Sequence, residues 1–219
     1  MKPGVREIRQ DDTHRLIPSI YSDESVLSRL AGNKQEITDL FELESATNRR
    51  LLGEANLLHG ISVHELLFGI PYAHIVNAAF TYAHPSGSRF NGPNRGAWYA
   101  TFELQTAKAE VTYHKSLELQ EIDWKEPETF TFDDYLADFR GEFHDIRRDR
   151  QYATCLNPES YAASQALARD LLAEGSAGVV YPSVRARKGT CIACFRPAFV
   201  LNVRKAATIT FTLRQAASA

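Results

Sequence analysis

The stretch GSRFNGPNRGAWYATFELQTAKAEV, residues 87–111, decides the fold because its pattern changes from loop to strand to helix over a short distance. Three glycines and a proline crowd its polar first part, which predicts an irregular loop. The run AWYAT is compact and aromatic, which predicts a strand. From Leu104 to about Leu119, apolar residues recur at helical spacing, and Glu110 lies beside this apolar stripe.

Two further patterns precede this stretch. Residues from Asn33 to Asn56 place apolar side chains among charges at helical spacing, which predicts an amphipathic helix. We expect this helix to belong to a helical N-terminal region over about residues 22–70. Between Ile75 and Tyr82, β-branched and aromatic residues predict a strand.

The segments that follow are mostly typical of strands. ETFTFDDYLADF and EFHDIRRDRQ predict strands, and so do GVVYPSVR, TCIACF and AATITFTL. Between them, Asn157-Pro158 predicts a helix start, and Gly175 predicts its end. Strands and helices do not alternate regularly, so the pattern favours an α+β fold over a doubly wound parallel sheet. Without a linker or an internal repeat, we expect one domain over residues 1–219.

Composition excludes several classes of protein. The formal net charge is −2, which provides no general attraction to nucleic acid or to an anionic membrane. No apolar run approaches the roughly 18 residues that span a bilayer, and the first residues lack the apolar core of a signal peptide. Three cysteines do not form a disulfide framework. We therefore expect a cytoplasmic protein with neither a membrane nor a nucleic acid as its partner.

The common catalytic and metal-binding motifs are absent from the sequence or incomplete. Cys191 and Cys194 form a CxxC pair, but on a strand two residues three apart point to opposite faces, and no second ligand pair is present. His64-Glu65 lacks the second histidine of an HExxH zinc site. GxSxG, GxGxxG and GKS/T motifs are absent from the sequence. We therefore expect no metal, and we interpret the cysteines as small buried thiols.

Four residues remain as a candidate site: Arg89, Tyr99, Glu110 and Ser183. An arginine in a glycine-rich loop can form a forked contact with a diphosphate. Tyr99 could stack on a base or orient a ribose, and a shielded Glu110 could stabilise a developing positive charge. Ser183 and the following arginine would suit a phosphate or a ribose. The alternative interpretation is a solvated arginine, a core tyrosine and a solvent-facing glutamate.

Three blocks of the chain resemble the RES domain, a family named for its Arg, Glu and Ser. They are HRLIPSIY, GSRFNGPNRGAWYATFELQTAKAEV and GVVYPSVRARKGTCIACF, at about residues 13–21, 87–111 and 178–195. The blocks occur in the family's order and span most of the chain. The central block is the most specific, since it is similar to the family's G-x-R-[FW]-N loop, G-x-x-Y-x-A strand and T-A-x-x-E helix.

The resemblance implies an α+β fold similar to the ADP-ribosyltransferase toxins, with two facing small β-sheets, flanking helices and NAD between the sheets. It implies that NAD is a substrate and not a permanent cofactor, with inorganic phosphate as a candidate co-substrate. The family's motif residues fall on the four candidates as catalytic residues. The residues implied to bind NAD or phosphate are Arg89, Tyr99, Arg15 and Arg185.

The implied reaction is cleavage of the nicotinamide N-glycosidic bond, with phosphate or water as the acceptor. Glu110 would support an oxocarbenium-like ribose, and Tyr99 would stack on it or orient it. Arg89 would hold the phosphates of NAD, and Ser183 would fix the nicotinamide end. A cationic pocket for an acceptor phosphate would come from Arg15 or Arg185.

The resemblance also implies a toxin whose partner is a helix-turn-helix antitoxin of the Xre type, which would block the NAD pocket and make any DNA contact itself. Formation of a homodimer is left open. Two alternatives remain at this stage. The chain could transfer ADP-ribose to a protein, which requires a docking surface for the target. It could also be an inactive module that binds NAD or the antitoxin, against which the presence of Glu110 argues.

Overall fold

The structure, a computed structural model, describes residues 2–22, 50, 52 and 60–213. Its six strands in the described part are β1 (Val5–Pro18), β2 (Trp98–Thr101), β3 (Glu128–Asp145), β4 (Gly178–Pro182), β5 (Thr190–Cys194) and β6 (Leu201–Leu213). Its α-helices there are α1 (Ala73–Thr81), α2 (Leu104–Glu121) and α3 (Ala162–Ala173). Short 3-10 turns cover Ser19–Tyr21, Val63–Glu65, Arg150–Leu156 and Pro197–Phe199.

The strands form two three-stranded parts. In the first part, β1 and β6 pair antiparallel on either side of β3. In the second, β2 and β4 pair antiparallel on either side of β5. The two parts meet along narrow seams, with His14 opposite Thr101 between β1 and β2, and two parallel residue pairs between β3 and β4. The predicted α+β fold with two facing small sheets is confirmed, and the seams join both sheets into one hydrogen-bonded network.

The main core lies between the two parts. Trp98, Ile192 and Val180 of the second part share one apolar cluster with Tyr135 and Phe139 of the first, and each is at most 1% exposed. Burial of side chains of this size stabilises a fold by about 1.5–3 kcal/mol each. The space between the sheets is therefore filled by core side chains in this region.

Helices cover the outer faces. Because side chains alternate along a strand, Tyr99, Cys191 and Val179 point to the face of the second part opposite Trp98, where α3 packs. Helix α2 packs against the first part instead, with Ala107 against Leu16 and Phe132. At the corner between the two parts, the exposed side of α2 comes next to the end of β4.

Most of the predicted elements are confirmed. The predicted loop, strand and helix of residues 87–111 correspond to a turn-rich loop, β2 and α2. Strands β4, β5 and β6 also lie where the sequence predicts strands. The two predicted strands ETFTFDDYLADF and EFHDIRRDRQ form the single strand β3, which ends at Asp145, so the second is confirmed only over its first four residues. Helix α3 ends just before Gly175, whose positive φ of 87° stops the helix as expected.

Two further predictions are wrong. The strand predicted from Ile75 to Tyr82 is helix α1, whose buried Ile75, Val76, Ala79 and Phe80 return at helical spacing. Its contacts with the core outweigh the strand preference of its β-branched residues. The helix predicted to begin at Asn157-Pro158 begins at Ala162. Asn157 instead accepts the backbone N–H groups of residues 159 and 160, which makes a turn.

The amphipathic helix predicted from Asn33 to Asn56 lies outside the described residues, except for Arg50 and Leu52, which have helical backbone. Within the predicted helical region of about 22–70, residues 60–70 contain only the short turn Val63–Glu65. A bidentate ion pair of Glu65 with Arg95 holds this segment on the fold. In the described part of the chain, no helix has the length and apolar character needed to cross a membrane.

Candidate active site

Glu110 and Ser183 meet at the corner between α2 and β4. The Ser183 hydroxyl donates to Glu110 Oε1 over 2.6 Å, although the two residues are 73 positions apart in the chain. Ser183 Oγ accepts the backbone N–H groups of Arg185 at 3.0 Å and Ala186 at 2.9 Å. These two bonds orient the hydroxyl, so that its proton points to the carboxylate. The structure therefore brings two of the predicted site residues, Glu110 and Ser183, into direct contact.

Arg185 brings a positive charge to the same corner. Its guanidinium carbon lies 3.3 Å from the centre of the Tyr113 ring, which is a close cation–π contact. Its Nη2 donates to the carbonyl oxygen of Pro158 over 2.9 Å. Tyr113 lies three residues after Glu110 on α2, so both project from the same side of the helix. The loop after β4, helix α2 and the segment before α3 are thereby joined by one side chain.

Arg89 lies in the glycine-rich loop and is only 7% exposed. Its Nη1 donates to the carbonyl oxygens of Cys155 at 3.1 Å and Asn157 at 2.8 Å. The guanidinium carbon also lies 4.7 Å from the centre of the Tyr161 ring. Arg89 is therefore an ordered, largely buried cation and not a solvated loop charge.

Tyr99 points from β2 toward the loop that carries Arg89. Its hydroxyl accepts the backbone N–H of Phe90 and donates to Asn91 Oδ1, each over 2.8 Å. Burial raises the pKa of Tyr99 above its usual range, although the Phe90 N–H and the cations of Arg15 and Arg89 act in the opposite direction. The phenol is therefore protonated at neutral pH and remains a donor.

Cys191 and Tyr181 form the floor beneath Glu110. The Cys191 thiol donates to Glu110 Oε1 at 3.7 Å, and burial together with the Glu110 charge raises its pKa. Tyr181 packs its ring against Phe90, with ring centres 4.7 Å apart, and burial raises its pKa well above the usual value. Both groups are therefore neutral at physiological pH. Cys194 lies on the opposite face of β5, which confirms the predicted opposite orientation of the two CxxC side chains.

Arg15 lies apart from the other candidates, against Trp98 on the face of β2 that meets the first part. Its guanidinium carbon is 4.8 Å from the centre of the Trp98 ring, and its Nη1 donates to the Tyr99 carbonyl oxygen over 3.1 Å. Burial lowers the pKa of Arg15 to about 10, which leaves it charged at pH 7. Among the described residues, Arg15 Nε is buried without a hydrogen-bond partner. Arg15 thus supports the β1–β2 seam and lies on the far side of β2 from Glu110.

Four aromatic and polar residues around the predicted set were missed by the sequence analysis: Asn91, Tyr113, His114 and Tyr161. His114 lies one helical turn beyond Glu110 and is exposed, with its ring edge-on to Tyr113. Helical spacing from Glu110 could have found Tyr113 and His114. Asn91 is in the quoted loop motif, whereas nothing in the local sequence singles out Tyr161.

The candidate site combines the Glu110 carboxylate with the guanidinium groups of Arg89 and Arg185, each of which packs on a tyrosine ring. A carboxylate of this kind can stabilise a positive charge on a sugar, and arginines beside it can bind phosphate groups. Within residues 2–22, 50, 52 and 60–213, no cluster of three or more His, Cys, Asp or Glu side chains could hold a metal ion. The site is therefore suited to a ligand that carries both a cationic glycoside and phosphates.

Comparison with known proteins identifies a family and similar solved structures. A family model described as RES domain matches residues 66–214, which is more than half of the chain. Among solved structures, a chain of the crystal structure of the M. tuberculosis MbcT-MbcA toxin-antitoxin complex is similar, with a TM-score of 0.51 and 10% sequence identity. The alignment covers 95% of this chain and 87% of that chain, and at this identity the likeness concerns the fold alone. No curated protein matches.

Proposed function

The chain belongs to the RES domain family, and on that premise we propose that it is the toxin of a toxin–antitoxin pair that cleaves NAD at the nicotinamide N-glycosidic bond. The observation that carries this proposal is the hydrogen bond of 2.6 Å from the Ser183 hydroxyl to Glu110 Oε1. It fixes a carboxylate at a corner where Arg185 and Arg89 supply positive charge.

In the proposed reaction, Glu110 stabilises the ribose as its bond to nicotinamide breaks. The nicotinamide of NAD leaves as a neutral molecule, so the site needs no strong acid to protonate it. The bonding electrons go to the ring nitrogen, and the ribose carbon becomes oxocarbenium-like. A nearby carboxylate favours that positive charge, an effect worth about 2.7–4 kcal/mol for one well-placed group.

Arginines hold the anionic parts in this proposal. Arg89 binds the diphosphate of NAD, and the fork of its guanidinium matches phosphate oxygens better than a lysine would. Arg185 follows Ser183 by two residues, and its guanidinium packs on Tyr113, three residues after Glu110 on α2, so we assign the acceptor phosphate to it. The acceptor is phosphate or water, and it adds to the ribose carbon that nicotinamide leaves.

The antitoxin forms the second part of the proposal. Support comes from the similar fold found in a toxin–antitoxin complex. We place the DNA contact on the antitoxin, a helix-turn-helix protein of the Xre type, because the chain has a net charge of −2 and no basic excess.

The test is incubation of NAD with purified protein, with and without phosphate, and separation of the products by mass. ADP-ribose 1″-phosphate formed only with phosphate identifies a phosphorylase, and free ADP-ribose identifies a glycohydrolase. Glu110→Gln should lower turnover about 10²- to 10³-fold, because the amide oxygen still accepts from Ser183 but carries no charge. A matched control is Glu118→Gln on the same helix, where the exposed carboxylate pairs with Lys115.

Three results would contradict this proposal. Intact NAD in both incubations with folded protein would exclude the cleavage. Wild-type turnover by Glu110→Gln would exclude the role of the carboxylate. Transfer of label from NAD to protein, in place of either small product, would identify a protein ADP-ribosyltransferase instead.

A further inference from the structure

Arg89 is held in a tight turn between Ser88 and Asn91. The backbone N–H of Ser88 donates to the Asn91 oxygen over 2.9 Å, and that of Asn91 donates to the Ser88 oxygen over 3.3 Å. From α3, Gln165 Nε2 donates to the carbonyl oxygen of Ser88 over 3.1 Å. Gly87 precedes the turn with a φ of +73°, and a Cβ there would lie 2.3 Å from the Asn91 oxygen. The turn is therefore fixed on two sides and depends on glycine.

The third side of the turn is fixed by Tyr99. Its hydroxyl uses its lone pair for the Phe90 N–H and its proton for Asn91 Oδ1, each over 2.8 Å. Phe90 and Asn91 are the two residues that follow Arg89, so this one hydroxyl fixes the part of the turn directly after Arg89. Asn91 is 8% exposed, and its Nδ2 donates to the Gly92 oxygen over 2.8 Å. Both hydrogen-bonding roles of the phenol are thus committed to the loop.

We propose that Asn91 and the Tyr99 hydroxyl form a positioning pair that sets Arg89, and through Arg89 the affinity for a ligand with a diphosphate. The inference rests on the proposed function, because it takes the diphosphate of NAD as the group that Arg89 binds. Tyr99 then acts on the ligand through its ring, whereas its hydroxyl acts on the loop.

The direct test is calorimetric binding of ADP-ribose, which has the diphosphate but no nicotinamide bond to cleave. Asn91→Ala and Tyr99→Phe should each raise Kd by about 5- to 30-fold, the range for loss of one buried hydrogen bond. The two residues share one hydrogen bond, so their effects on Kd should not add. The Kd of the double variant should be no higher than that of the single variant with the higher Kd. In an Arg89→Ala background, Asn91→Ala should have no further effect on Kd.

Kinetics with NAD separate positioning from chemistry. Both single variants should raise KM by the same factor as Kd, with kcat changed by less than about threefold. The matched control is Thr13→Val, which removes a buried hydrogen bond of 2.7 Å to the Ala137 oxygen in the other sheet. This control should change stability but not Kd.

Several results would overturn the inference. Additive effects of the two variants on Kd would contradict a shared bond. An effect of Asn91→Ala on Kd that persists in the Arg89→Ala background would contradict action through Arg89. A Tyr99→Phe variant with lower kcat at unchanged KM would contradict a positioning role of the hydroxyl. Hydrogen exchange adds a test without ligand, since Asn91→Ala should speed exchange of the Phe90 amide. Binding of ADP-ribose without cleavage of NAD would refute only the proposed reaction. Absence of ADP-ribose binding by a wild type that cleaves NAD would refute only the positioning inference.

Discussion

Replacement of Ser183 by alanine tests whether this residue orients the carboxylate of the site. The hydroxyl donates to Glu110 over 2.6 Å and accepts two backbone N–H groups, at 3.0 and 2.9 Å. Alanine removes all three bonds at once. The backbone of the loop after β4 keeps its own bond from the Ser183 N–H to the Gly189 oxygen, over 2.8 Å. We therefore expect the fold to persist while Glu110 loses its fixed position.

The magnitude follows from the charge on Glu110. A hydrogen bond to a charged group contributes about 1.5–3 kcal/mol, and each 1.4 kcal/mol of barrier changes a rate about tenfold. Ser183→Ala should therefore lower kcat for NAD about 10- to 100-fold, with little change in KM. The two N–H groups lie in a partly exposed loop where water can replace Ser183 Oγ. We expect a loss of about 1 kcal/mol in stability, which lowers Tm by about 2–4 °C.

The assay is steady-state NAD consumption, paired with thermal unfolding of each variant. Ser116→Ala is a suitable control, because its hydroxyl donates to the Thr112 oxygen over 2.8 Å on the same helix but away from Glu110. That control should keep wild-type kcat. If Ser183→Ala turned over NAD within about threefold of the wild-type rate, orientation of Glu110 by Ser183 would be refuted.

Two other predictions concern buried ionisable groups. Burial alone would raise the pKa of Asp133, but hydrogen bonds from Lys205 and Thr208 lower it from 3.8 to about 2. A lowered folded pKa stabilises the fold above the unfolded pKa, so this contribution of about 2 kcal/mol should disappear as the pH falls from about 4 to about 2. In denaturant titrations over this pH range, the free energy of unfolding of Asp133→Asn should lack that part of the pH dependence. Equal pH dependence of the two proteins would contradict the prediction. The cysteines, all buried, should resist a thiol reagent at pH 8 in the native protein, because burial raises the pKa of Cys194 to about 12, and all three should react after unfolding. Rapid labelling of native protein would show that this interpretation of their burial is wrong.

Local patterns in the sequence were sufficient for the central block. The loop that carries Arg89, the strand that carries Tyr99 and the helix that carries Glu110 follow one another, and each is recognisable from a few neighbouring residues. The opposite orientation of the two CxxC cysteines also follows from the alternation of side chains along a strand. The resemblance to the RES family supplied the remaining step from these residues to NAD.

Local patterns failed where distant contacts decide the conformation. Ile75 and Val76 favour a strand by composition, yet they lie in a helix because its buried face completes the main core. Asn157-Pro158 has the composition of a helix start. Arg89 and Arg185 bind the carbonyl oxygens of residues 157 and 158, and the helix begins only at Ala162.

The sequence by itself determined the α+β class, the central loop, strand and helix, and the identity of the candidate residues, since each depends on periodicity or on a motif within one segment. Only the tertiary structure decided that Ser183 reaches Glu110, that Arg15 lies on the other side of β2, and that the Tyr99 hydroxyl binds the loop of Arg89. These outcomes depend on how α2 packs against the first part beside the end of β4, and on which face of β2 each side chain occupies. Such contacts join residues far apart in the chain, and their free energy comes from burial that no single segment can achieve alone.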